Sequence, residues 1–173
     1  MAPKTRWFVS AAVVALVLDQ VTKRWIVARL RYGEVEPVLP GWFDLTYVEN
    51  PGGAFSLFAG ADPAFRSVFF LGMGLLALVM LGVFFRQLER EAWGTALALG
   101  AVLGGALGNL VDRVLHGAVI DWIDVHLTAT YTWPTFNVAD SCIVVGVLLL
   151  LAESFFERPE EEPPGGAQVG PVA

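Results

Sequence analysis

Residues 67–85 and 92–111 run for 19 and 20 positions without a charged side chain. About 20 apolar residues in a helix cross the hydrocarbon core of a bilayer. A helix also satisfies its backbone groups within its own segment, as hydrocarbon requires. The pattern therefore predicts two transmembrane helices joined by the polar hairpin Arg86-Gln87-Leu88-Glu89-Arg90-Glu91. A third span is predicted over 136–156, around a Val- and Leu-rich run at 142–152. A fourth begins at Trp7, but its uncharged run ends after 12 residues at Leu18. It reaches membrane length only by continuing through Asp19, Lys23 and Arg24 to about Ala28. Lys4 and Arg6 ahead of that short run also fit a secretory signal peptide, yet no small-x-small cleavage site follows. The reading is a membrane all-α chain, a bundle of four transmembrane helices. The connectors 29–64 and 116–135 then share one side, opposite both termini and the 86–91 hairpin. Strand-like stretches occur in the connectors, such as 42–48, which is followed by the turn signal Asn50-Pro51-Gly52-Gly53.

Composition agrees with the pattern. The 173 residues are 55% hydrophobic, with mean hydropathy +0.60. Only 16% are charged, against about a quarter in soluble domains. That excludes a soluble globular domain, and the hydrophobicity excludes a disordered chain. The net charge of −6 argues against nucleic acid as a partner, because phosphate contact needs a basic face. Most of that charge is terminal: Glu153, Glu157, Glu160, Glu161 and Glu162 against Arg158. Residues 1–156 are read as the membrane domain and 157–173 as a disordered acidic tail rich in Pro, Gly and Glu. A single cysteine, Cys142, forbids an intrachain disulfide, and with only His116 and His126 beside it a zinc site of the usual kind is not expected. Lys and Arg are spread over both sides, so the positive-inside rule does not orient the chain.

Ionisable residues within spans cost about 2.5–3.5 kcal/mol at mid-bilayer and are functional candidates by default. Asp19 and Lys23, four apart, read either as a structural ion pair or as a pair orienting a site. Gly104, Gly105 and Gly108 allow close helix packing. Packing does not account for Asn109, Asp112 and Arg113, which share one helical face. Arg113 either pairs with Asp112 or holds a substrate carbonyl or phosphate. Asp121 and Asp124 are the acids of an apolar segment, each open to a reading as a surface acid. Asn137 and Asp140 fit a reciprocal helix cap. Asp121 and Asp140 nonetheless fall on adjacent elements near one membrane face. Two close carboxylates share a proton, and such a pair can activate water while polarising a carbonyl. This peptide hydrolysis needs neither metal nor cofactor, and the chain offers no constellation for either. A small transporter or proton conductor, and a structural subunit whose acids only cap and pair, remain as other classes.

Five ordered blocks then add a resemblance. Asp19-Gln20-Val21-Thr22-Lys23, Asn50-Pro51-Gly52-Gly53-Ala54-Phe55, the block from Gly104 to Arg113, Val119-Ile120-Asp121-Trp122 and Phe136-Asn137-Val138-Ala139-Asp140 resemble the motifs of bacterial lipoprotein signal peptidases (signal peptidase II). Trp122 stands where Phe is usual. The resemblance implies four helices with a small extracytoplasmic β-sheet cradle and a short helix on that side. It implies a membrane aspartyl endopeptidase that removes the signal peptide of diacylglyceryl-modified prolipoproteins, cleaving before the lipidated cysteine. Asp121 and Asp140 carry over as catalytic. Asp19, Lys23, Asn50, Gly52, Gly105, Asn109, Arg113 and Asn137 carry over as substrate-binding or supporting. The expected partners are the prolipoprotein and membrane lipids, with the chain a monomer. The expected place is the bacterial inner membrane, both termini cytoplasmic and the dyad near the outer face. Residues 50–58 are expected to act as a flap.

Overall fold

A computed structural model describes residues 2–52, 60–128 and 130–156. In chain order the described residues form four long helices and four strands: α1 (Pro3–Arg29), β1 (Val35–Leu39), β2 (Phe43–Asn50), α2 (Pro63–Gln87), α3 (Trp93–His116), β3 (Val119–Thr128), β4 (Tyr131–Thr132) and α4 (Val138–Phe156). Of these, α2, α3 and α4 are long and apolar enough to cross a membrane, with mean hydropathies of 2.6, 1.6 and 2.0. Helix α1 is the longest at 27 residues, but Asp19, Lys23 and Arg24 interrupt its apolar run.

The expected spans are all helical, and local chemistry moves their ends. Helix α2 starts one turn before 67, because Asp62 Oδ1 accepts the N–H groups of Ala64 (2.9 Å) and Phe65 (3.1 Å) and Pro63 stands at the first helical position. Helix α3 continues past 111 to His116, where Gly117 closes it in the left-handed conformation (φ 76°). Helix α4 starts at Val138 rather than 136, since Phe136 is taken into a β-bridge with Ile123.

Helix α3 is the centre of the bundle and packs on α1, α4 and α2. Its glycines make this possible. A methyl group on Gly104 would strike the Ala12 carbonyl of α1, and one on Gly105 the Ala139 carbonyl of α4. The flanks of α2 and α4 stay largely uncovered and apolar, as lipid contact requires. At one end of the bundle, Lys4 Nζ donates to the carbonyls of Phe85 and Leu88, placing the N-terminus beside the α2–α3 connector.

The strands gather at the other end. They form one antiparallel sheet in the order β1-β2-β3-β4. Ile26 of α1 and Leu30 just past its end pack with Leu45, Phe43, Tyr47 and Trp122, fastening the sheet to the bundle. The strand expected at 42–48 is β2, which runs on to Asn50. Between Leu45 and Val48 the β2–β3 register shifts by one extra residue on β2, a bulge that re-aims the strand beside Asp121. The apolar segment that carries Asp121 and Asp124 is the ten-residue strand β3. The expected short helix does not occur among the described residues; between α3 and α4 these form β3 and β4 instead. Residues 53–58 of the expected flap and the tail 157–173 lie outside the described residues.

Candidate active site

Asp121 is the third residue of β3, and Asp140 lies in the first turn of α4. Asp121 is buried at 2% exposure, while Asp140 is half-buried. Both line a cavity of about 700 Å³ whose polar side also includes Asn50, Asn109 and Arg113. Its apolar side is formed by Trp133, Pro134 and Phe136 and by Ile143, Val144 and Val145 of α4.

Three asparagines hold the carboxylates, and each has its amide orientation set by a group that can only donate. Lys23 Nζ donates to Asn109 Oδ1 (3.0 Å), so Asn109 Nδ2 points to Asp140 Oδ1 (2.7 Å). The Asp140 N–H donates to Asn137 Oδ1 (2.8 Å), so Asn137 Nδ2 points to Asp121 Oδ1 (2.7 Å). The Gly52 N–H donates to Asn50 Oδ1 (3.1 Å), so Asn50 Nδ2 points to Asp121 Oδ2 (3.0 Å). Asn137 therefore caps α4 and also bridges the two acids. The expected cap forms in its forward half, while the Asp140 side chain turns to Asn109.

Under this layer lies a buried ionic cluster. Lys23 Nζ is 2.8 Å from Asp19 Oδ2 and 2.8 Å from Asp112 Oδ2. Asp19 Oδ1 accepts the Ala139 N–H (2.9 Å), next to Asp140. The Asp19–Lys23 pair is thus structural and orienting at once, because the lysine that bridges two acids also sets Asn109. Arg113 does not pair with Asp112, which Lys23 has taken. Its guanidinium donates to the carbonyls of Asn109 and Gly52 (both 3.2 Å) and lies over the Phe70 ring at 5.1 Å. Gly105 sits outside the cavity, at the α3–α4 contact. Two groups escaped the sequence reading. Gln20 Nε2 donates to Asp112 Oδ1 (2.9 Å), and the Ile120 N–H donates to Asp112 Oδ2 (3.1 Å); only Gln20's place between Asp19 and Lys23 hinted at either. Asp124 stands apart, opposite Asp44 in the β2–β3 register. With His126, these two acids form a group whose donor atoms lie within 4.8 Å of one another, outside the cavity.

Burial pushes the Asp121 carboxyl up to about 7, and the Asp140 charge adds to the rise against the amides of Asn50 and Asn137. At neutral pH such a pair holds a proton on one member and a charge on the other. That is the equipment for activating water against a polarised carbonyl without a covalent intermediate.

The sequence profile described as Signal peptidase (SPase) II matches residues 11–156. The chain belongs to the signal peptidase II family. It is a membrane protease of lipoprotein processing. A lipoprotein signal peptidase of Geobacter sulfurreducens is 43% identical over 163 residues, 94% of this chain and 100% of the relative. One from Syntrophotalea carbinolica is 46% identical over 143 residues, 82% of this chain and 87% of the relative. One from Nostoc punctiforme is 42% identical over 160 residues, 92% and 96% respectively. A solved structure of a bacterial membrane enzyme superposes with a TM-score of 0.77 at 31% identity, covering 91% of this chain and 94% of that one.

Proposed function

We propose that this chain removes the signal peptide from diacylglyceryl-modified prolipoproteins, cleaving before the lipidated cysteine with Asp121 and Asp140 as the catalytic dyad. The observation that carries the proposal is the shared cavity. Two carboxylates enter it from different elements, each held by asparagine amides, and Asp121 titrates near 7. The charged carboxylate takes a proton from water as the oxygen attacks the scissile carbonyl. The protonated one donates to that carbonyl oxygen, and the leaving amine is protonated as the C–N bond breaks. Asn109, Asn137 and Asn50 keep the pair aligned. Arg113 at the cavity wall is placed to meet substrate backbone.

Exposed Val144 and Val145 on the α4 wall support lateral entry of a lipidated substrate from the bilayer. Four spans are supported by the way α1 divides its residues. Asp19 and Lys23 are buried at 0% and 1% exposure, while Val13, Val14, Val17, Leu18 and Val21 face outward. In this reading residues 1–156 make up the catalytic domain, acting as a monomer in the inner membrane. The termini are cytoplasmic and the sheet with the dyad is extracytoplasmic.

The test is cleavage of a purified diacylglyceryl-modified precursor by the protein in detergent. Asp121→Asn and Asp140→Asn should each abolish release of the signal peptide while thermal unfolding stays cooperative. A precursor lacking the diacylglyceryl group should be cut poorly. Full activity in either variant overturns the dyad.

A further inference from the structure

We infer that Asp112, which lies outside the cavity, is a positioning residue that sets the depth and direction of Asp121 by holding the backbone of Ile120. The inference rests on the dyad proposed above. Asp112 is buried at 2% exposure in the last turns of α3, just before the chain turns at Gly117 into β3. Its carboxylate collects three donors from two elements: Lys23 Nζ of α1 at 2.8 Å, Gln20 Nε2 of α1 at 2.9 Å and the Ile120 N–H of β3 at 3.1 Å.

The third bond gives the residue its role. Ile120 immediately precedes Asp121. Its N–H is held by Asp112, and its carbonyl accepts from Asn137 Nδ2 (3.3 Å). The peptide planes on both sides of Ile120 are therefore pinned, and with them the direction in which β3 delivers the next side chain. Asn137 also holds the Asp121 carboxylate itself, so two anchors determine one geometry. Lys23 and Gln20 keep the Asp112 carboxylate from turning away. Asp112 does not line the cavity, so any effect on turnover must pass through Ile120 or through Lys23.

Asp112→Asn is isosteric, but it leaves one acceptor oxygen for three donors and removes a charge. Misplacing a reacting group by about 1 Å costs on the order of 10²-fold in rate. The full-length variant in detergent should lose roughly 10–100-fold in kcat on the lipidated precursor, with KM within about threefold of wild type. The alkaline limb of the kcat–pH profile, where the dyad loses its shared proton, should move to lower pH, because loosening Ile120 admits water to Asp121 and a nearby negative charge is gone. Hydrogen exchange at the Ile120 amide should accelerate. A residue that only stabilises the fold would lower the unfolding temperature and leave the pH midpoint and the kcat of folded enzyme in place; that result overturns the inference. If Asp112→Asn does not fold, Gln20→Ala carries the test. It frees the Asp112 carboxylate on one side only and should give a smaller loss of kcat with the same direction of pH shift; absence of both effects overturns the inference. Asp121→Asn is run beside them. Activity there would defeat the dyad, whereas normal Ile120 exchange in Asp112→Asn would defeat the tether alone.

Discussion

Gly108→Ala tests whether the ionic cluster under the dyad is rigid. A Cβ at Gly108 would fall on the Asp19 carboxylate, with Cγ at 3.0 Å and Cβ at 3.4 Å. The end of a flexible side chain normally swings aside at little cost. Asp19 is not free to do so: one oxygen is held 2.8 Å from Lys23 and the other accepts the Ala139 N–H at 2.9 Å. Either the α1–α3 interface opens, at about 1–3 kcal/mol for overpacking, or Asp19 gives up a charge-assisted bond worth about 1.5–3 kcal/mol. Both together make about 3–6 kcal/mol, a large part of the 5–15 kcal/mol typical of a fold. Gly82→Ala makes the same chemical change in α2 with nothing within 4 Å of the new methyl. It should be neutral or up to about 1 kcal/mol more stable, because glycine in a helix interior is entropically costly. Thermal unfolding in detergent should place Gly108→Ala on the order of 10 °C below wild type and Gly82→Ala at or above it. Turnover of Gly108→Ala should fall as well, since Asp19 holds the turn that carries Asp140. A Gly108→Ala protein as stable as wild type would refute the rigid cluster. An equal loss in Gly82→Ala would mean that the effect is generic to helical glycine.

Lys23→Met leaves Asp19 and Asp112 buried without their cation, which should cost about 3–5 kcal/mol and release the Asn109 amide from its set orientation. Adding Asp19→Asn and Asp112→Asn should restore part of the unfolding temperature but not turnover. Stability should also depend on pH through Asp121. Its folded value of about 7 lies above the ordinary 3.8, so the folded state binds more protons between these limits. The Asp121 contribution to stability is then greatest below about pH 4, falls by a few kcal/mol as pH rises toward 7, and levels off above it. Denaturation of wild type against Asp121→Asn over pH 4–8 checks this, with the variant expected to lose that slope.

Much of the membrane architecture was legible because hydrocarbon permits so few solutions. Uncharged runs of 19 and 20 residues have no alternative to helices, and the glycines at 104, 105 and 108 announce a close helix contact. The two carboxylates were legible as a candidate pair from their place on adjacent elements near one membrane face; spacing also allowed Asp140 as a cap and Asp121 as a surface acid, and the ordered motifs chose between these readings. Helix ends were less legible, because they depend on bonds such as those of Asp62 and on the bridge that removes Phe136 from α4. Asp112 was read as a possible partner for Arg113. Lys23, from a helix 86 residues away from Asn109 in sequence, competes for Asp112 in three dimensions and wins.

The sequence by itself determined which segments are helical, where charge is too expensive to be accidental, and which family the motifs resemble. Only the tertiary structure decided what the polar residues do. An asparagine carries a donor and an acceptor on one amide, and which end faces an aspartate depends on the group at the other end. For Asn109 that group is Lys23, from another helix 86 residues away, whereas Asn137 and Asn50 are turned by the nearby Asp140 and Gly52 N–H groups and need the fold to bring Asp121 to their free ends. A linear pattern can mark such residues as out of place in a membrane, but which carboxylate each amide meets, and hence their chemistry, exists only once the helices and the sheet have closed around them.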